Sequence, residues 1–67
     1  MPVVLRVQGF KFWFYSADLS EPPHVHVGYQ GKEAKFWLLP IELARFHGFR
    51  TVELNQIEKI IRENHNL

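Results

Sequence analysis

Apolar and polar residues alternate one by one over four stretches of this chain, the period of a half-buried β-strand. The first runs over about 2–8 and is rich in β-branched residues. The second, 10–15, is strongly aromatic. The third, 24–29, carries His24-Val25-His26-Val27, and the fourth, 33–39, carries Ala34-Lys35-Phe36-Trp37-Leu38. Gln8-Gly9 separates the first pair and Gln30-Gly31 the second. Glycine supplies the positive φ of a tight hairpin turn, so each dipeptide predicts a two-residue loop. The registers follow. Val7 faces Phe10, Leu5 faces Phe12 and Val3 faces Phe14; Tyr29 faces Lys32, His26 faces Lys35 and His24 faces Trp37. Each hairpin is then apolar on one side. The other side collects Val4, Arg6, Lys11, Trp13, Tyr15, His24, His26, Lys35 and Trp37.

Residues 16–23 hold Ser, Asp, Ser, Glu and two prolines and predict the loop between the hairpins. Pro22-Pro23 is stiff and lacks backbone donors, so it aims the start of the histidine strand. Glu21 stands just before it, placed to fold back towards His24. Beyond the fourth strand, Pro40 suits the first turn of a helix, and Gly48 a helix stop. That predicts a short helix over about 41–47. Thr51 reads as the N-cap of a second helix over about 52–64. There Leu54, Ile57 and Ile61 form an apolar stripe, Ile60 widens it, and Glu58, Lys59, Arg62 and Glu63 take the wet side. Leu43, Phe46 and Phe49 are expected to fill the corner. The expected fold is α+β, one domain over 1–67: a four-stranded antiparallel meander with two C-terminal helices on its apolar face.

Composition narrows the classes. The chain has 67 residues, 46% apolar and 15% aromatic, which is globular rather than disordered. A core this small gains from a partner or a homodimer. The net charge of +1 does not by itself imply nucleic acid or membrane. Cysteine is absent, which removes disulfides and thiolate metal sites. No apolar run reaches the roughly 20 residues of a bilayer span, and the N-terminus lacks the order of a signal peptide. A cytoplasmic protein without membrane contact is expected.

The polar side of the sheet holds the candidate chemistry. His24 and His26 lie two apart on a strand and point the same way. Imidazoles suit general acid and base work near neutral pH, and Lys35 opposite can hold a phosphate. A metal-independent endoribonuclease needs little more, so His24, His26 and Lys35 are the candidate catalytic residues. Arg6, Lys11, Trp13, Tyr15, Glu21 and Trp37 are the candidate binding residues. Aromatics beside cations resemble a platform that stacks bases and tracks phosphates, and they serve equally as anchors for a protein. The plainer alternative is two ordinary histidines on a sheet face, with the aromatics covered by the linker or a dimer mate. His-x-His with Glu21 offers three metal ligands and no clear fourth, so neither a metal nor any other cofactor is expected. A helix-turn-helix reading of 41–64 meets Glu53 where phosphates would sit, which favours core packing.

These residues also carry a resemblance. The aromatic second strand, Glu21-Pro22-Pro23-His24-Val25-His26-Val27, Ala34-Lys35-Phe36-Trp37-Leu38, Pro40, Glu42-Leu43-Ala44, Gly48-Phe49, Glu53-Leu54 and Ile57 resemble a family of very short bacterial proteins known as a domain of unknown function. Members are often encoded beside a second small protein, an arrangement similar to toxin–antitoxin pairs. The resemblance implies a small partner protein and RNA cleavage. Pro23-His24-Val25-His26-Val27 is similar to the histidine triad motif too, but Gly28 stands where a third histidine belongs, and that family is set aside. The expected function is a toxin–antitoxin-like component that binds or cleaves RNA on the His24/His26/Lys35 face. The alternative is a non-catalytic antitoxin or regulatory subunit that binds its partner through the same face.

Overall fold

The computed structural model describes residues 3–15 and 21–64. Five strands run in chain order as one antiparallel meander: β1 Val3–Val7, β2 Phe10–Tyr15, β3 His24–Tyr29, β4 Lys32–Leu38 and β5 Ile41–His47. Among the described residues one helix, α1 Thr51–Glu63, follows the sheet. Both hairpin registers are as the sequence predicts, from Val7↔Phe10 to Val3↔Phe14 and from Tyr29↔Lys32 to His24↔Trp37. In both Gln-Gly loops the two residues have positive φ, the signature of a type I′ turn that matches strand twist.

The expected helix over 41–47 is instead a fifth strand, so the described residues form a sheet of five strands rather than four and one helix rather than two. Glu42-Leu43-Ala44-Arg45 has high intrinsic helix propensity, but tertiary pairing overrides it. β4 buries Phe36, and its outer edge would otherwise present unpaired N–H and C=O groups beside the core. β5 pairs along that edge. Leu39-Pro40 forms the reversal, with a cis peptide bond. Between Leu43↔Phe36 and Arg45↔Lys35 the register shifts, leaving Ala44 as the extra residue of a β-bulge. The bulge swaps the alternation. Ile41 and Leu43 pack on the core, and beyond the bulge Arg45 falls on the opposite face. Phe46 does not fill the corner as expected; it is 53% exposed at the sheet edge.

The core lies between the sheet and α1. Phe10, Phe12, Phe14, Val25, Val27, Ala34 and Phe36 come from the sheet, Phe49 from the turn before α1, and Ile57, Ile60 and Ile61 from α1. Burying each Phe or Ile contributes roughly 1.5–3 kcal/mol. The helix begins one residue earlier than predicted. Arg50, extended, is its N-cap, and the Arg50 backbone N–H donates to Glu53 Oε1 at 2.8 Å. Lys32 Nζ donates to Glu53 Oε2 at 3.0 Å, so the tip of the second hairpin is fastened to the first turn of α1. Gln56 and Gln8 make the matching tie to the tip of the first. Gly48 has φ +89°, and a Cβ there would meet Lys32 Cγ at 3.0 Å. No described helix is long and apolar enough to cross a membrane.

Candidate functional site

The face of the sheet opposite α1 is ordered in three rows by strand pairing. The first row runs Arg6, Lys11, Gly28, Glu33, His47. The second runs Val4, Trp13, His26, Lys35, Arg45, and the third runs Tyr15, His24, Trp37, Glu42. Adjacent strands lie ~4.8 Å apart, so row neighbours whose side chains are described are in side-chain reach. Register places the expected candidates Arg6, Lys11, Trp13, His24, His26, Lys35 and Trp37 on this face. Tyr15 pairs with His24 through its backbone, and its side chain lies outside the described residues. Arg6 is exposed at the β1 edge; Lys11, Trp13, His26 and Trp37 are half-buried.

The wall is not uniformly open. His24 and Lys35 are only 6% and 7% exposed. Glu21-Pro22-Pro23 folds over that end, as the position of Glu21 suggested. The Lys35 ammonium donates to Glu21 Oε1 at 2.5 Å and lies 4.5 Å from the Trp37 ring centroid. His24 Nδ1 lies 3.0 Å from the Pro22 carbonyl, to which it donates in the Nδ1–H tautomer, and 3.7 Å from the same Glu21 oxygen. Each buried side-chain N and O atom of the described residues has a partner. A buried polar layer is stable on that condition. The imidazoles of His24 and His26 meet edge-on, centroids 5.1 Å apart, and His24 meets the Trp37 ring the same way at 6.1 Å.

His26 is the more accessible imidazole. Partial burial holds its pKa below the ordinary value of 6.5, and the charges of His24, Lys35 and Arg45 push the same way; Glu21 opposes them. At neutral pH it is therefore an uncharged ring, able to accept a proton. Trp13 lies beside it, with the Lys11 ammonium 5.2 Å from the indole centroid. The indole also covers Gly28, where a Cβ would come within 3.1 Å of the ring. Gly28 thus leaves room for the Trp13 ring over β3. Among the described residues no group of three or more His, Cys, Asp or Glu is arranged to hold a metal.

A depression of about 220 Å³ opens at the β3–β5 end of the wall. His26, Lys35 and Arg45 line one side, Glu33 and His47 the other. Ala34 and Phe46 complete the lining. Arg45, His47 and Glu33 are site residues that sequence reasoning missed. Reading 41–47 as a helix assigned His47 to the helical half and gave Arg45 no place on the sheet. The available signal was the alternation of Ile41, Glu42 and Leu43 after Pro40.

A family model described as "Domain of unknown function (DUF4160)" matches residues 9–67. The chain belongs to that family. The DUF4160 match includes every candidate residue named from the sequence except Arg6, which lies on β1 ahead of it. It also includes β5 and α1, and so the whole depression. No curated protein and no solved structure matches the chain.

Proposed function

We propose that this DUF4160 protein is the RNA-engaging component of a toxin–antitoxin-like pair, in the cytoplasm, and that it engages single-stranded RNA on the wall opposite α1. One observation carries the reading: two indoles, one with the Lys11 ammonium 5.2 Å from its ring centroid, share a surface with Arg6, Arg45 and His26. Indoles stack on bases of any sequence at about 1–3 kcal/mol each, and cations alongside them neutralise phosphates. Lys11, Trp13 and Trp37 are the stacking and tracking groups; Arg6 extends the surface at the β1 edge.

Binding is better supported than cleavage. Acid–base scission of RNA needs two imidazoles on one phosphate, and His24 is buried with Nδ1 directed at Pro22 O. Lys35 is engaged by Glu21. The same facts favour the second reading, a non-catalytic module that docks a small partner protein here. The deciding experiment expresses wild type and a His24→Ala/His26→Ala variant, alone and with the adjacently encoded protein, and scores growth, RNA integrity and co-purified RNA. Co-purified RNA with intact length in both forms supports binding. RNA cut by wild type and not by the variant would assign catalysis to the histidines. A stable complex with the neighbouring protein and no RNA would favour the protein-docking reading.

A further inference from the structure

The depression at the β5 edge differs in character from the rest of the wall. Most of its lining residues are charged or carry imidazoles: His26, Glu33, Lys35, Arg45 and His47. Lys35 is held by Glu21, but among the described residues Arg45 forms no ion pair, and its side chain is exposed. His47 is exposed on the same edge strand, and His26 is half-buried on the inner side. We infer that this depression seats a phosphate group of the bound RNA, with Arg45 as its main donor and the His26 and His47 imidazoles beside it. The inference rests on the RNA reading above for its ligand, and on the β5 bulge for its geometry.

Three observations converge. The bulge at Ala44 is the device that turns Arg45 to this face; with regular alternation it would point at the helix. A guanidinium presents a planar fork of donors that matches phosphate oxygens, whereas a lone ammonium acts as a point charge. The volume, about 220 Å³, is smaller than the roughly 300–1,000 Å³ of sites that enclose a drug-sized molecule and suits a phosphate with part of its sugar. Lys35 and Arg45 both disfavour a charge on His26, and Glu21 opposes them. Trp13 stands next to His26 in the same row, which puts a stacked base beside the seated phosphate.

The test measures fluorescence anisotropy of a 3′-labelled single-stranded oligouridylate with wild type, Arg45→Gln and Arg62→Gln. Arg62 is the control: it removes the same charge from the outer face of α1, where it pairs with Glu58. Arg45→Gln should weaken binding about tenfold and lower the slope of log K against log salt by about 0.7, one phosphate's worth on a single strand. Arg62→Gln should stay within about twofold. An added 5′-phosphate that strengthens binding only when Arg45 is present would place a terminal phosphate in the seat. No effect of the 5′-phosphate would place an internal one there. In parallel, inorganic phosphate is titrated against the imidazole proton resonances. His26, faced by His24, Lys35, Arg45 and Glu21, should shift saturably, and its midpoint should rise as the anion offsets the cations; Arg45→Gln should abolish the response. If RNA binding is unchanged in Arg45→Gln and phosphate moves neither imidazole, the seat is overturned while the RNA reading stands. If wild type binds no RNA but phosphate moves His26 and His47, the RNA reading falls and the seat remains.

Discussion

At the residue scale the decisive group is Glu21. One carboxylate oxygen accepts from Lys35 and lies close to His24, so it neutralises the buried ammonium of β4. Removing it leaves that charge in a low-dielectric layer. Glu21→Ala should destabilise the protein by about 1.5–3 kcal/mol, the range for a hydrogen bond to a charged group. Urea unfolding of wild type and variant measures it; equal midpoints would mean that the contact is not formed in solution. His26 and Glu53 set the pH response. Both are held below their ordinary values, His26 by burial and the cations around it, Glu53 by the Arg50 backbone N–H and by Lys32. In each case the unfolded chain binds its proton first as pH falls. Their stabilising contributions are therefore complete above about 6.5 for His26 and 4.5 for Glu53, and each is lost as pH drops through the folded value. Stability by urea unfolding should decline in two stages between neutral pH and acid, the first tracking the His26 resonance. His26→Gln should remove the first stage.

At the element scale the informative strand is β5. Both hairpins were legible because alternation over five or six residues plus a Gln-Gly pair admits one register. The α1 stripe of Leu54, Ile57 and Ile61 was legible for the same reason, as it repeats over two turns. Ile41–His47 was not. Its alternation spans three residues before Ala44 interrupts it, Pro40 and Gly48 bound a strand as readily as a helix, and Glu42-Leu43-Ala44-Arg45 has helical propensity. The fact that decided it, an unpaired β4 edge beside a buried Phe36, is non-local. The candidate site shared that fate: its β2–β4 part was readable, whereas Arg45 and His47 depended on β5. The covering of His24 and Lys35 also lay beyond alternation, because it depends on how the chain at Glu21-Pro22 turns back. Cross-strand Hα contacts between Lys35 and Arg45, and between Phe36 and Leu43, should appear in NMR spectra, with Ala44 lacking a partner. Helical chemical shifts over 41–47 would contradict the strand. In α1, Ile57→Ala should cost about 2–5 kcal/mol, since Ile57 is fully buried between helix and sheet. That loss is a large share of the stability of so small a protein, and a thermal melt should show it as partial or complete unfolding.

At the scale of the whole molecule, the two faces of one sheet have different work. The face under α1 is packed with aromatic and branched side chains and holds the fold together. The opposite face carries the cations, imidazoles and indoles, and half of it is open to a ligand. Its charge is local: a net charge of +1 gives little steering, so binding should be salt-sensitive but modest in strength. The division of labour is tested most directly by one titration, single-stranded RNA added to isotopically labelled protein and followed by amide and indole NMR. The account predicts shifts at Lys11, the indoles of Trp13 and Trp37, His26, Arg45 and His47, with the outer residues of α1, such as Lys59 and Arg62, unmoved. Shifts centred on α1, or none anywhere, would contradict it.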